Sequence, residues 1–181
     1  MAVVIDGTNG ISSPDYEVDG VTGQIYPLVS GTAVTASGTA VNFTGIPSWA
    51  KRITVMLSGV STNGTSEYLI QLGDSGGIEN TGYTSQASAV GGSSATSSST
   101  AGFNLLGVAA SAAGLYSGIA VITALGGGNS FVASGTIARS AASTAFFGGS
   151  KTLSDTLTQV RITTVNGTDA FDAGTINIIY E

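Results

Sequence analysis

Residues 73–77, Gly-Asp-Ser-Gly-Gly, form the segment of this sequence whose residue types and spacing most closely match a catalytic motif. In one class of hydrolases this pattern surrounds a nucleophilic serine, so Ser75 is a candidate nucleophile. A serine hydroxyl is a weak nucleophile until a neighbouring base, usually histidine, accepts its proton. The chain contains no histidine, and its two lysines, Lys51 and Lys151, lie in no recognisable motif. We therefore predict a glycine-rich turn after a strand, in which Asp74 bonds to the local backbone.

Carboxylates are the other residues that could perform chemistry. Glu67, Asp74 and Glu79 lie close together in the sequence, as do Asp169 and Asp172. A glycosidase needs two carboxyl groups that face each other across a cleft. Nothing in the sequence places any two of these acidic residues in that arrangement. The segment 169–174 also lacks the spacing of a recognised calcium loop. The sequence therefore predicts no enzymatic activity, no metal site and no cofactor, and these acids are expected in solvated turns.

Aromatic side chains supply the candidate ligand-binding residues, namely Trp49, Tyr83 and Tyr116. Trp49 follows Pro47 in a loop that enters a predicted strand, and a ring beside polar turns can stack on a sugar. The same ring can also cap the core of a domain or pack against a neighbouring subunit. For all three residues we favour packing or subunit contact over ligand stacking.

The composition restricts the partners of this chain. The formal net charge is −6 and only five residues are Lys or Arg, so few phosphates could be neutralised and nucleic acid is a poor partner. An anionic membrane surface is excluded for the same reason. No apolar run approaches the roughly 18 residues of a membrane span, and the N-terminus lacks the pattern of a secretory signal. There is no cysteine, hence no disulfide and no thiolate metal site.

The patterning along the chain is that of β-structure. Charged residues make up 9%, against roughly 25% in an average domain, so Ser, Thr, Asn and Gly must supply the polar surface. Glycines interrupt any helical periodicity. Segments rich in β-branched and aromatic residues are instead bounded by turn signals such as Asn63-Gly64. The predicted strands lie in the segments 24–31, 38–45, 51–60, 66–73, 116–126, 130–139, 143–149, 157–167 and 174–181. We predict an all-β, antiparallel β-sandwich, jelly-roll-like, over residues 24–181.

Two segments lie outside this pattern. Residues 1–23 lack alternation and carry four of the eleven acidic residues, which predicts a short extended N-terminal arm that attaches the domain or promotes trimerisation. Residues 90–102 are low-complexity Gly, Ser, Thr and Ala, and we predict a long surface loop there. That loop is either a tip that orders against a neighbour or a tolerated insertion.

Three segments resemble those of bacteriophage virion proteins. "IDGTNGISSPD" (5–15) resembles a short segment of tail-fibre and related appendage proteins. "SGTAVNFTGIPSWAKRITVMLSGVSTNGTSEYLIQLGDSGGIENTGY" (37–83) is similar to a β-rich module that recurs in phage and prophage structural proteins, and so is "VRITTVNGTDAFDAGTINIIYE" (160–181). The middle of the chain, 84–159, carries no recognised motif, and no long repetitive shaft is present.

The resemblance implies a non-enzymatic structural subunit of a tail fibre or tail-tip appendage that takes part in host-surface recognition. It implies a homo-oligomer, a trimer, attached to other virion proteins through residues 1–23 and contacting a host cell-surface glycan. Its location would be the virion, on the tail or the capsid surface, after synthesis in the bacterial host cytoplasm. Two alternatives remain, a capsid decoration or head-fibre protein and a standalone carbohydrate-binding β-sandwich module.

Overall fold

The computed structural model describes residues 28–91, 94–126, 128–140 and 143–181 in full, and the backbone of four short strands before residue 24. Every strand pair in this described part is antiparallel, and none of its residues is helical. Among the described residues there is no helix with the length and apolar character that a membrane crossing requires. The prediction of an all-β chain is confirmed.

The four N-terminal strands form two small antiparallel pairs. Strand β1 (Val4–Asp6) pairs with β2 (Gly10–Ser12), and β3 (Tyr16–Val18) pairs with β4 (Val21–Gly23). The remaining residues of the predicted arm, 1–23, lie outside the described residues. Its role in attachment or trimerisation stays a prediction.

A five-stranded sheet forms one layer of the sandwich. Its strands are β7 (Ala40–Thr44), β9 (Tyr68–Asp74), β10 (Gly77–Ile78), β13 (Phe103–Asn104) and β17 (Gln159–Thr164). They are ordered β10-β9-β17-β7, and β13 also pairs with β9. Strand β17 therefore joins two strands that come much earlier in the chain.

A nine-stranded sheet forms the other layer. Its strands are β5 (Val29–Ser30), β6 (Val34–Thr35), β8 (Arg52–Thr62), β11 (Tyr83–Gly91), β12 (Ala95–Ser99), β14 (Tyr116–Ala124), β15 (Ser130–Arg139), β16 (Ser143–Thr152) and β18 (Phe171–Tyr180). The order is β12-β11-β16-β15-β14-β8-β18-β5, with β6 also on β18.

The core lies between the two sheets because the strands alternate as the sequence predicts. In β8, Ile53, Val55 and Leu57 are buried while the residues between them are more exposed. Aromatic rings meet across the layers, as where the ring centroids of Tyr68 and Tyr116 lie 5.0 Å apart in an edge-to-face contact. The prediction of two antiparallel sheets packed in a sandwich-like structure is thereby confirmed.

The low-complexity segment differs from the sequence prediction. Residues 95–99, predicted as loop, form β12 at the edge of the nine-stranded sheet, where Ser97 pairs with Ala87 of β11. The prediction was wrong over these five residues, and over residues 90–91 at the end of β11, because small side chains need no core in order to join a ladder with a neighbouring strand. Strand β11 itself was missed, since its buried face consists mainly of small residues.

Candidate functional site

The Gly-Asp-Ser-Gly-Gly segment forms the turn between β9 and β10, as predicted. The Gly76 N–H donates to Asp74 Oδ1 at 2.7 Å, which fixes the turn through the local backbone. Ser75 lies exposed at the turn. The aspartate is buried and Ser75 is its exposed neighbour, so the motif serves the fold of the hairpin.

A polar network surrounds the buried carboxylate of Asp74. The Ser154 hydroxyl lies 2.7 Å from Asp74 Oδ2 and 2.7 Å from Glu79 Oε1, and the Ser154 N–H donates to the same Glu79 oxygen at 2.7 Å. The Lys151 ammonium donates to the other oxygen of Glu79. A hydroxyl has one proton, so Ser154 donates to one carboxylate at a time. The network ties the β9–β10 hairpin to the end of β16.

The charge of Glu79 shows what this network can do chemically. Partial burial raises the pKa of Glu79, but hydrogen bonds from Lys151 and Ser154 outweigh it and lower the pKa to about 2. A carboxylate with so low a pKa is a poor proton acceptor near neutral pH, so it does not activate the Ser154 hydroxyl. The arrangement is a cross-link between the sheets.

Tyr83 and Tyr116, both proposed as ligand contacts, lie in the core and are each 2% exposed. The Tyr83 hydroxyl accepts from the Leu72 N–H at 2.7 Å and donates to the Glu79 carbonyl at 3.0 Å, and burial raises its pKa. The Tyr116 hydroxyl accepts from the Ser111 N–H at 2.9 Å. Neither ring offers a face to solvent, so stacking on a ligand does not fit these positions, whereas packing does.

Trp49 lies at one end of the sandwich and is partly buried against the core. Its ring centroid is 5.7 Å from that of Tyr180, with the two ring planes tilted by 51°. This contact joins the loop before β8 to the last residue of β18 and fits the packing interpretation. A ligand-binding role for Trp49 stays a prediction.

The acidic residues near the C-terminus hold the turn before β18. Asp169 accepts from the Asn166 side chain at 2.7 Å and from the Ser66 N–H at 2.9 Å, and these hydrogen bonds lower its pKa. Asp172 accepts from the Ser61 hydroxyl on the neighbouring strand β8. Among the described residues, no group of three or more His, Cys, Asp or Glu side chains is placed to hold a metal ion.

A groove of about 410 Å³ crosses the outer face of the five-stranded sheet. Its central strand, β17, places Arg161 and Thr163 outward, and Arg161 lies in register with Asn42 on one side and Gln71 on the other. Arg161 Nε donates to Asn42 Oδ1 at 2.9 Å, which fixes the guanidinium above the sheet. Further polar side chains line the groove, namely Thr39, Asn80, Thr164 and Asn166.

The groove is rich in hydrogen-bond donors. Gln71 is held by a 2.9 Å hydrogen bond from its Nε2 to the Ala101 carbonyl, and the Thr163 hydroxyl donates to the Thr39 carbonyl at 2.9 Å. Arg161 is partly exposed and forms no ion pair within the part of the chain that the structure describes. A planar guanidinium among fixed amide and hydroxyl groups suits a ligand with hydroxyl and carboxylate groups.

A smaller groove of about 250 Å³ runs past Glu67, Ser97 and Asn104. The buried Asn104 side chain donates to the Glu67 carboxylate and to Ser97 Oγ, and it accepts from the Leu106 N–H at 3.0 Å. The charged residue of this groove is the Glu67 carboxylate, so it lacks the guanidinium that the groove at Arg161 offers to an acidic ligand.

Arg161 was not among the residues singled out from the sequence. The available signal was a single charged residue in the middle of an otherwise uncharged strand, "QVRITT". The chain matches no protein-family model, no curated protein and no solved structure. What marks the groove as the candidate site is its own geometry and donor chemistry.

Proposed function

We propose that this chain is a bacteriophage virion structural protein, a non-enzymatic tail-fibre or tail-tip appendage subunit that takes part in host-surface recognition. The observation that carries the proposal is where the phage-like segments lie in the fold. The segment 37–83 contains β7, β8, β9 and β10, and the segment 160–181 contains β18 and all but the first residue of β17. Two segments distant in sequence thus supply four of the five strands of one sheet and two adjacent strands of the other, and the Arg161 groove lies on the outer face of the five-stranded sheet.

The groove supports recognition of a host-surface glycan. Bacterial surface sugars present hydroxyl groups and, where acidic, carboxylates, and a guanidinium binds a carboxylate through two parallel hydrogen bonds. Gln71 and Thr163 are held by their own hydrogen bonds, so the groove is largely formed before a ligand arrives. An acidic glycan is the ligand class that this arrangement fits best.

The remaining parts of the proposal concern assembly. The protein forms a homotrimer, is attached to other virion proteins through residues 1–23 and is located on the virion after synthesis in the host cytoplasm. The jelly-roll-like character of the sandwich belongs to the same proposal. It is supported by the chain's repeated crossing between layers, from β7 to β8, from β8 to β9 and from β10 to β11.

The test of recognition is competition for adsorption. Purified protein should block adsorption of the phage to its host, and Arg161→Gln should weaken that block about tenfold, because one charge-assisted contact is lost. Arg139→Gln is the matched control, since Arg139 is partly exposed at the end of β15 and lies on the other sheet. Equal blocking by the wild type and Arg161→Gln would remove the groove from the recognition site.

Antibody labelling of intact virions separates the alternatives. Label on the tail supports the proposal, and label on the capsid only, together with no competition, indicates a decoration or head-fibre protein. Absence of label from virions, combined with glycan binding by a monomer, indicates a standalone carbohydrate-binding module. Either of these last two outcomes would overturn the tail assignment.

A further inference from the structure

The outer face of the nine-stranded sheet is almost free of charge. We call the outward side chains of β11, β16, β15, β14, β8 and β18 the neutral face. The charged residues of these strands with exposed or partly exposed side chains lie at strand ends. Arg52 forms a 2.9 Å ion pair with Glu181, Asp172 near the start of β18 accepts from the Ser61 hydroxyl, and Arg139 ends β15. The other outward positions carry Ser, Thr, Gln, Asn, Gly, Ala and apolar residues. The middle of the face is therefore uncharged on a chain whose net charge is −6.

Large apolar side chains are exposed in the middle of the neutral face. Phe146 is 51% exposed, Ile119 50% and Val132 41%. Ile119 of β14 and Phe146 of β16 both lie opposite Thr136 of β15, so the two apolar groups flank one threonine in a single row across three strands. Clustered exposure of this kind marks an interaction surface more than scattered single residues do.

Gly148 adds an independent observation. It lies in the interior of β16, two residues from Phe146 on the same face, and a Cβ built there would meet nothing closer than the Ala133 carbonyl at 3.8 Å. Gly135 and Gly149 face inward, and a Cβ at either would lie 2.4 Å from a backbone oxygen. Packing within the chain therefore explains those two glycines but not Gly148. A strand glycine of this kind is typical of a place where another backbone approaches closely.

We propose that the neutral face is the surface through which this chain binds a further copy of itself. The uncharged middle of the neutral face can serve as its own complement, because two copies that meet there bring no like charges together although each chain has a net charge of −6. The small side chains around Gly148 let two sheets come close, and Phe146 supplies an aromatic group to bury.

The size of the face is sufficient for such a contact. Its six strands have nine to eleven residues each. With strands about 4.8 Å apart and a rise of about 3.4 Å per residue, they cover about 900 Å². A stable protein–protein contact buries about 800 Å² on each partner. Two faces can pack against each other, or three can close around an axis.

This inference rests on the proposed function for the expectation of a homo-oligomer, while the choice of face rests on Phe146, Ile119 and Gly148. The test is the solution mass of the full chain by sedimentation at micromolar concentration. The wild type should have a mass of at least twice 17.8 kDa, the mass of one chain. Gly148→Arg should weaken association at least about a hundredfold and give the monomer mass, because it brings a bulky like charge to each copy.

One control and one further variant keep the test decisive. Ser75→Arg adds the same charge in the exposed β9–β10 turn and should assemble as the wild type does. Phe146→Thr removes the exposed ring with little effect on the core and should also weaken association; it is the variant to rely on if Gly148→Arg does not give a wild-type circular dichroism spectrum.

Two results would overturn the inference. A monomeric wild type would mean that no second copy binds the neutral face. The remaining candidates to cover it would then be residues 1–27 of the same chain or a glycan. An oligomer that persists in a folded Gly148→Arg or Phe146→Thr variant would place the contact elsewhere. Neither result depends on adsorption to the host, so failure here is distinguishable from failure of the recognition proposal.

Discussion

The two ends of β9 are joined to the larger sheet by different kinds of contact. At its start, the ring of Tyr68 meets Tyr116 at 5.0 Å and Phe171 at 5.6 Å between centroids, both edge to face. The buried Tyr68 hydroxyl forms no hydrogen bond of standard geometry among the described residues, and the Thr62 side chain is a polar neighbour of it. At its far end, the strand is held by hydrogen bonds to Tyr83 and by the charged network around Asp74.

The two ends of β9 should therefore loosen under different conditions. The aromatic junction depends on burial and ring geometry, which neither pH nor moderate salt changes. The polar junction depends on the charge of Glu79 and on the buried Lys151, whose ammonium also lies 5.3 Å from the Tyr83 ring centroid. Acid should therefore weaken the sandwich first at the β9–β10 hairpin.

The largest effect is expected for Glu79→Gln. The substitution leaves the Lys151 ammonium, whose side chain is 5% exposed, without its carboxylate. The free energy of unfolding at neutral pH should fall by about 3 kcal/mol, measured by urea denaturation. Glu181→Gln breaks the exposed pair with Arg52 and should cost no more than about 0.5 kcal/mol. Equal losses in the two variants would contradict the comparison.

The same variant gives a prediction for pH. The pKa of Glu79 is lowered from 4.5 to about 2 in the folded protein. Its contribution to stability is therefore complete above about pH 4.5 and is lost as the pH falls through about 2. The difference in unfolding free energy between wild type and Glu79→Gln should shrink across this interval. A constant difference would mean that Glu79 acts through packing rather than charge.

A smaller loss is expected for Tyr83→Phe. The substitution leaves the buried Leu72 N–H without the oxygen that it now meets at 2.7 Å. We expect a loss of about 1 to 2 kcal/mol in the free energy of unfolding, with the ring contact to Phe103 retained. Wild-type stability in this variant would show that the hydroxyl does not hold the junction.

The smallest effect is expected at the aromatic end. Tyr68→Phe removes a buried hydroxyl that forms no hydrogen bond of standard geometry among the described residues, so stability should be unchanged or higher by up to about 1 kcal/mol. Thermal unfolding of the two Tyr→Phe variants side by side checks the contrast. A loss at Tyr68 as large as that at Tyr83 would show that both ends are held by hydrogen bonds.

The sequence predicted the parts of the fold that local chemistry determines. Strand β8 was predicted because β-branched residues alternate over it, and the turn at Asp74 because its side chain bonds within two residues. Strand β11 was missed because its inward positions include Ser85, Ala87 and Ala89, whose small side chains give little hydrophobic contrast. Strand β12 was missed for a similar reason.

The candidate site was harder to predict because it depends on long-range register. Arg161 meets Asn42, which is 119 residues earlier, and the groove forms only when Gln71 lies on its other side. The network at Asp74 likewise requires Ser154, 80 residues away. Sequence spacing carries no information about such pairs, whereas the strand order does. The sequence likewise did not determine whether Tyr83 and Tyr116 are buried, because their burial also depends on contacts between distant segments.

The central position of β17 has a consequence for how the protein is made. Strand β17 lies between β9 and β7, and β18 lies between β8 and β5, so two strands that follow their neighbours in the chain complete both sheets. Until they emerge, β7 and β9 have no common neighbour, and the pairing edges of β8 and β9 stay open. Closing such long intervals is slow, and open edges favour aggregation in the meantime. Both sheets are therefore completed only after residues 159–180 have been translated.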